Sequence, residues 1–317
     1  MLNQSPESVK HICCIGAGPI GGGWAAHFLA QGYTVTSYLH DAAEHDALMR
    51  LINTAWGSLQ EIGLAEGASL DNFNWTTDLA EAVKGAQFIQ ESVPEVLELK
   101  QSLYRTLGDL IDPNVVIASS TSGLSMTDIQ ANCATPERTV VAHPFNPPYL
   151  LPLVEMIGGK KTSAHCVEWT EAFYKVAGKS PLVMKKEIPG FIATRLQEAI
   201  WREALHMVAN GEATVEQIDQ AVVNGPGPRW ALMGPCEIFH VGGGEGGMAY
   251  CLDQFGPALK LPWTRLVAPE LTDELRNAMV DGCVDMTDGA DFASLSKKMN
   301  DGLVAIAKMK RDQSNNN

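Results

Sequence analysis

The 317-residue sequence has no stretch of about 18 consecutive apolar residues, and no basic segment followed by an apolar core opens it. A membrane-spanning helix and a cleaved secretory leader are therefore not expected, and the protein reads as cytoplasmic. Positive charge is also scarce: 23 lysines and arginines stand against 37 acids, a formal net charge of −14. Nucleic acid and anionic membranes both need a basic patch, so neither is expected as a partner, whereas an acidic field tolerates a cationic small molecule. The seven cysteines, at 13, 14, 133, 166, 236, 251 and 283, are odd in number, scattered, and form no CxxC pair. Nothing in that spacing builds a disulfide framework or a metal site. A composition 45% hydrophobic and 19% charged leaves ample apolar material for two globular domains.

The apolar run 11–15 is followed at once by GAGPIGGG and then by a helix-like stretch over 24–31. Strand, glycine turn and helix are implied in that order. Residues 33–39 are rich in β-branched and aromatic side chains, and an amphipathic stretch over 46–62 comes next. Further strands are predicted at 87–90, 115–118, 139–142, 153–157 and 182–184, with helical patterns between several of them. This alternation predicts an α/β fold built on a doubly wound, mostly parallel Rossmann-type sheet. After Ile188-Pro189-Gly190 the texture changes: 191–209 reads as one long helix, with further helices at 214–222, 272–280 and 292–308 and a frayed polar tail at 313–317. The predicted division is a nucleotide-binding domain over 1–187 and an all-helical domain over 188–317.

Gly16, Gly18 and Gly21 spell GxGxxG between the first strand and the first helix, where the motif has mechanical meaning. Gly16 permits a tight turn, Gly18 lets a pyrophosphate approach the backbone, and Gly21 lets the helix close on the sheet. Ile20, inside the same turn, is counted with them as a cofactor contact. The helix N-terminus adds amide donors and positive partial charge for the phosphates. The second strand ends in Ser37-Tyr38-Leu39-His40-Asp41, so Leu39 stands where an acid normally holds the adenosine ribose. Asp41, two residues on, is either a substitute for that acid or a solvated loop carboxylate. No arginine follows to take a 2′-phosphate, which favours NAD over NADP.

His143 directly follows the apolar run 139–142, placing it at a strand's carboxyl end, where doubly wound sheets bind ligands. Oxidising an alcohol requires a group of near-neutral pKa to accept the hydroxyl proton as hydride leaves the same carbon, and imidazole suits that task. Glu155 lies in another apolar run twelve residues on; a carboxylate there needs a partner, and His143 is the candidate it would orient. The hydroxyl-rich segment 119–124 follows the run 115–118 and should open onto the same crevice. Each has an ordinary reading too, as a capped strand-end histidine, an edge glutamate and helix-capping serines. Their convergence on one sheet edge points to a site.

ASSTSGL at 118–124, HPFNPPYLLPLVE at 143–155 and IPGFIATR at 188–195 resemble the signature regions of the 3-hydroxyacyl-CoA dehydrogenases, and the resemblance extends over nearly the whole chain. It implies His143 as the base, Glu155 as its partner and Ser122 as the residue binding the substrate hydroxyl. It also implies that Glu95 and Lys100, in VPEVLELK at 93–100, touch the nicotinamide end of NAD; the ordinary reading is a solvated first helical turn. A homodimer through the helical domain is implied as well. Thr194 stands where the family commonly has an asparagine that helps hold the acyl substrate. Its single hydroxyl on a shorter side chain speaks against acyl-CoA.

Two branches of the family lack the CoA requirement, one acting on L-gulonate and one on L-carnitine. GPGPRWA at 225–231, GP at 234–235, GGGEGGM at 242–248, QFGP at 254–257 and PWT at 262–264 resemble the second branch; the first typically has tyrosine at the Trp230 position. The implied substrate is a small hydroxy acid with a cationic head and a carboxylate flanking the hydroxyl. Aromatic faces suit a quaternary ammonium, and Trp201, Trp230, Phe145 and Tyr149 are candidates to hold it. Glu198 or Glu203 can add negative field, Arg229 suits the carboxylate, and Asn146 joins Ser122 and Thr194 among the substrate-side positions. Tryptophans at helical spacing are as readily core residues, and 242–247 is either a loop that closes over the site or a turn. L-Gulonate and 3-hydroxyacyl-CoA are the alternative substrates. A crystallin-like, non-catalytic NAD-binding protein is the alternative class, against which the intact set of His143, Glu155 and Ser122 argues.

Overall fold

In the computed structural model, which describes residues 4–257, 261–265, 267, 270 and 272–315, short apolar runs buried on both faces form the centre of one sheet. Its strands are β1 (His11–Ile15), β2 (Thr34–Tyr38), β3 (Phe73–Thr76), β4 (Phe88–Glu91), β5 (Val116–Ser119), β6 (Thr139–Pro144), β7 (Leu153–Gly158) and β8 (Ser180–Val183). The order is β3-β2-β1-β4-β5-β6-β7-β8. Neighbours from β3 through to β6 run parallel; β7 is antiparallel to β6, and β8 is parallel to β7. Every residue of β4, β5 and β6 is buried, as expected where helices cover both faces of a parallel sheet. Strand β3 was invisible to hydropathy because Phe-Asn-Trp-Thr is an edge strand with two exposed residues and no apolar run.

Helices α1 (Pro19–Ala30), α2 (His45–Ile62), α3 (Leu79–Ala82), α4 (Leu97–Leu110), α5 (Met126–Ile129) and α6 (Ala164–Val176) cover the sheet. Along β1 the side chains alternate, Ile12 and Cys14 joining Trp24, Phe28, Phe88 and Phe173 in one core, Cys13 and Ile15 joining Tyr104, Ile117 and Met126 in the other. Helix α1 is buried along its whole length from Gly21, because α2 packs outside it. Leu48, Ile52, Ala55 and Leu59, spaced on one face of α2, make that contact layer. The chain runs from β1 outward to β3 and then returns to the other side of β1 as β4. The reversal leaves a crevice beyond the carboxyl ends of β1 and β4.

Residues up to Ala193, together with those from Met299 onward, form this first unit; Thr194–Lys298 form a second. The second unit is helical, with α7 (Ala193–Ala209), α8 (Val215–Asn224), α9 (Pro226–Trp230), α10 (Pro235–Gly242), α11 (Gly247–Phe255), α12 (Asp273–Met286) and the start of α13 (Phe292–Asn315). Thr214 and Gln217 close a capping box on α8, and Arg265 pairs with both Glu203 and Glu212. The glycines at 242–247 form a turn between α10 and α11, so tight that a Cβ on Gly243 would lie 1.9 Å from the Gly247 carbonyl oxygen. The polar tail expected at 313–317 lies partly outside the described residues, and α13 runs into its first part. The helix continues to Asn315, and within the first unit Asn300 donates to the Tyr149 hydroxyl at 2.9 Å and Lys308 pairs with Glu61 at 3.2 Å. No helix among the described residues is long and apolar enough to cross a membrane.

Candidate active site

The crevice at the switch point is a cleft of about 620 Å³ lined by Gly16, Ala17 and Gly18, by Tyr38, His40 and Glu44, by Ser92 to Pro94, and by one side of α4. Gly16 has φ +116°, and a Cβ there would lie 2.5 Å from the Ser92 carbonyl oxygen. A Cβ on Gly21 would meet the Gly16 carbonyl oxygen at 2.0 Å. Gly18 is different: nothing stands within 4 Å of its missing side chain, and no side chain caps the helix it precedes. The opening of α1 thus presents bare backbone amides to an open cradle, which fits the pyrophosphate of a dinucleotide. Ile20, half-buried in the first turn of α1, packs against the core.

At the ribose end neither Leu39, at the usual acidic position, nor Asp41, the candidate substitute, reaches the cleft. Leu39 is fully buried in the core. Asp41 is the N-cap of a short 3₁₀ turn, its Oδ1 accepting from the Ala43 amide at 2.8 Å, and it does not line the cleft. Glu44, three residues on, does line it.

Register across the antiparallel pair β6·β7 sets His143 directly opposite Glu155. Their side chains meet on one face, His143 Nδ1 lying 3.1 Å from Glu155 Oε2. The other carboxylate oxygen accepts the amides of Ile192 and Ala193, both at 2.8 Å. These are the amides opening α7, so Glu155 is held by a helix start as well as by imidazole. The turn that aims them passes through Gly190 at φ +71° and Phe191 at φ +50°; the buried Phe191 ring lies 5.4 Å from that of His143. The predicted helix over 191–209 therefore starts two residues late, because 190–191 must take left-handed backbone. Burial pushes the Glu155 pKa up, but the bonds from His143, Ala193 and Ile192 outweigh it and hold the carboxyl below its ordinary value. The acid is thereby kept ionised beside the ring, and Nε2 has no hydrogen-bond partner among the described residues.

Ser122 is exposed at the turn after β5, and that turn is gripped by Glu95. One oxygen, Oε1, accepts the Thr121 hydroxyl at 2.5 Å and the amides of Ser122 and Gly123 at 2.9 and 3.1 Å. Burial raises the Glu95 pKa, but these bonds and the Lys100 ammonium bring it below the usual carboxylate range. Lys100, expected at the nicotinamide end, is held among acids. It is 1% exposed, and its Nζ lies 2.6 Å from Glu91 and 3.5 Å from Glu95 Oε2 and donates to the Val93 carbonyl at 3.3 Å. A buried ammonium is satisfied there by two acids and a carbonyl, and Lys100 thereby ties Glu95 to β4.

Glu91, which periodicity could not distinguish from a strand-end acid, is the hub of this arrangement: it also accepts the Ser119 hydroxyl at 2.6 Å and the Val93 amide at 2.8 Å. Its position in an all-buried strand was the available signal. Lys179 was equally inconspicuous. Buried, it donates to the carbonyls of Pro148 and Leu151 and lies 5.0 Å above the Trp24 ring, tethering the segment after His143; burial alone lowers its pKa to about 7. A Cβ on Gly23 would strike Pro148 at 2.7 Å, which brings α1 against the same segment.

The remaining candidates divide between the units. Asn146 is exposed in the first, Phe145 lies with its ring 5.4 Å from that of His143, and Tyr149 is half-buried. Thr194 and Trp201 on α7, and Arg229 and Trp230 on α9, belong to the second. Trp201 and Trp230 are 48% and 40% exposed, so neither is a core tryptophan of that unit.

Residues 11–188 match the model of the 3-hydroxyacyl-CoA dehydrogenase NAD binding domain, and residues 190–278 that of the 3-hydroxyacyl-CoA dehydrogenase C-terminal domain. The chain is 56% identical over 302 residues to an L-carnitine dehydrogenase of Streptomyces coelicolor, covering 95% of both chains. It is 48% identical to an L-carnitine dehydrogenase of Bacillus cereus, over 97% of this chain and 94% of that one. Among solved structures it is similar to 5-formyl-3-hydroxy-2-methylpyridine 4-carboxylic acid 5-dehydrogenase, an NAD+-dependent dismutase, with TM-score 0.80, 28% identity and coverage of 95% and 98%.

Proposed function

We propose L-carnitine as the substrate of this chain, which belongs to the 3-hydroxyacyl-CoA dehydrogenase family and is an NAD-dependent dehydrogenase. The observation that carries the substrate is the likeness, along almost the whole chain, to relatives named for that activity. The net charge of −14 is in keeping with a substrate whose head is a permanent cation.

In this reading, NAD held by the glycine turn would supply the acceptor for the hydride that leaves C3 of the substrate. His143 Nε2, the nitrogen not engaged by Glu155, takes the proton of the C3 hydroxyl, and the carbon is left as the ketone of 3-dehydrocarnitine. Glu155, ionised and fixed by the α7 amides, orients the ring with its proton on Nδ1 and stabilises the imidazolium that forms. Ser122 offers its hydroxyl to the same substrate oxygen, on a turn whose position is set by Glu95. Asn146, Thr194, Arg229, Trp201 and Trp230 are the proposed substrate contacts, the aromatics for the trimethylammonium and Arg229 for the carboxylate. Glu95 is a proposed cofactor contact together with the glycine turn.

We also place the protein in the cytoplasm as a homodimer. Six described cysteines are free, which suits a reducing compartment, and the second unit exposes Trp263, Val267 and Val223 at 70%, 81% and 65%, the kind of apolar surface a second copy covers. The substrate is tested by following NADH formation with L-carnitine, L-gulonate and a 3-hydroxyacyl-CoA. Turnover is expected with the first. His143→Ala is expected to cut kcat at least about a hundredfold with NADH affinity kept; unchanged turnover would sink the base assignment.

A further inference from the structure

The cofactor cleft has no acid at the strand-end position that normally receives an adenosine ribose, since Leu39 is buried in the core and Asp41 is engaged as an N-cap. One carboxylate nevertheless stands in the cleft wall at that end. Glu44 lines it beside Tyr38 and His40, fixed by the backbone: its Oε2 accepts the His40 amide at 3.0 Å and the Asp41 amide at 3.5 Å. An ionised carboxylate has about four acceptor positions, so Oε1 remains available. No lysine or arginine is among the residues lining the cleft.

We propose that Glu44 is the ribose-binding acid of this chain and its determinant of NAD over NADP. One oxygen grips the turn after β2 and the other accepts the 2′- and 3′-hydroxyls of the adenosine ribose. The capping turn carries the acid to the cleft in place of the strand end, which allows the strand-end position to be the core residue Leu39. A 2′-phosphate placed there meets a negative charge with no lysine or arginine in the cleft lining to offset it. The inference rests on NAD binding and is independent of which alcohol is oxidised.

The test is equilibrium titration of the full-length protein, without substrate, by NADH and NADPH, followed by nucleotide fluorescence. Glu44→Gln keeps an acceptor for the His40 amide and removes the charge. It is expected to raise the NADH Kd about tenfold and to leave the NADPH Kd unchanged or lower, so that the preference contracts at least as much. Asp41→Asn, which retains a capping side chain, is expected to leave both Kd values within twofold. Unaltered wild-type protein supplies a check that does not depend on a variant's folding: NADH lacking the adenosine 2′-hydroxyl is expected to bind about tenfold more weakly. Glu44→Gln with both affinities within twofold of wild type, a tenfold loss in Asp41→Asn instead, or full-strength binding of the deoxy analogue would each overturn the proposal.

Discussion

Glu155 has two jobs that a single oxygen could not do, and the structure divides them between its two oxygens. One faces His143 and the other the amides of Ile192 and Ala193. Glutamine at this position would keep its carbonyl on the two amides and turn its NH₂ toward His143 Nδ1. The imidazole would then carry its proton on Nε2, the wrong nitrogen for a base. Glu155→Gln is therefore expected to lower kcat by roughly a hundredfold or more while NADH affinity stays put, measured by steady-state kinetics beside a binding titration. The same residue has a pH signature. Its folded pKa lies below the unfolded value of about 4.3, so its stabilising contribution is complete above the unfolded value and is lost as pH falls through the folded one. The gap in urea midpoint between wild type and Glu155→Gln should be widest near neutrality and shrink on acidification. A gap that grows in acid would contradict this.

At the scale of elements, the glycine turn separates positions that protect the fold from one that protects the ligand. Gly16 and Gly21 sit where a methyl would strike backbone at 2.5 and 2.0 Å, so Gly16→Ala is expected to lower Tm by several degrees and weaken NADH binding together. Gly18 has φ −72° and open space around it. Gly18→Ala should melt with wild-type protein yet bind NADH at least about tenfold less tightly, because the methyl would occupy the space needed by the pyrophosphate. Calorimetry paired with titration distinguishes the two; matching losses of Tm would remove the distinction. The turn at 190–191 shows a different relation between sequence and element. Helical periodicity runs unbroken through Phe191, but its left-handed backbone delays α7 and so brings the helix's first amides to Glu155.

For the whole molecule, most of the large exposed apolar side chains among the described residues belong to the second unit. The proposed homodimer predicts a light-scattering mass twice the 34.2 kDa of one chain at micromolar concentration, and a measured mass of one chain would reject it. Scale also explains why the cationic substrate was readable only by resemblance. The acidic balance is spread over the entire chain, whereas the candidate aromatics Phe145 and Tyr149 lie in one unit and Trp201 and Trp230 in the other, and no periodicity joins residues that far apart.

By itself the sequence determined the alternation of strands and helices, the dinucleotide turn, and the pairing of His143 with Glu155. These follow from local spacing: a glycine motif after an apolar strand, and two polar residues in apolar runs that must satisfy each other when buried. Tertiary structure alone decided that Lys100 is buried between Glu91 and Glu95, that β3 completes the sheet edge, and that Asp41 caps a turn while Glu44 reaches the cleft. Each depends on which neighbour a side chain meets across the fold. Between two acids three residues apart, only the path of the backbone after β2 determines which one faces the ligand.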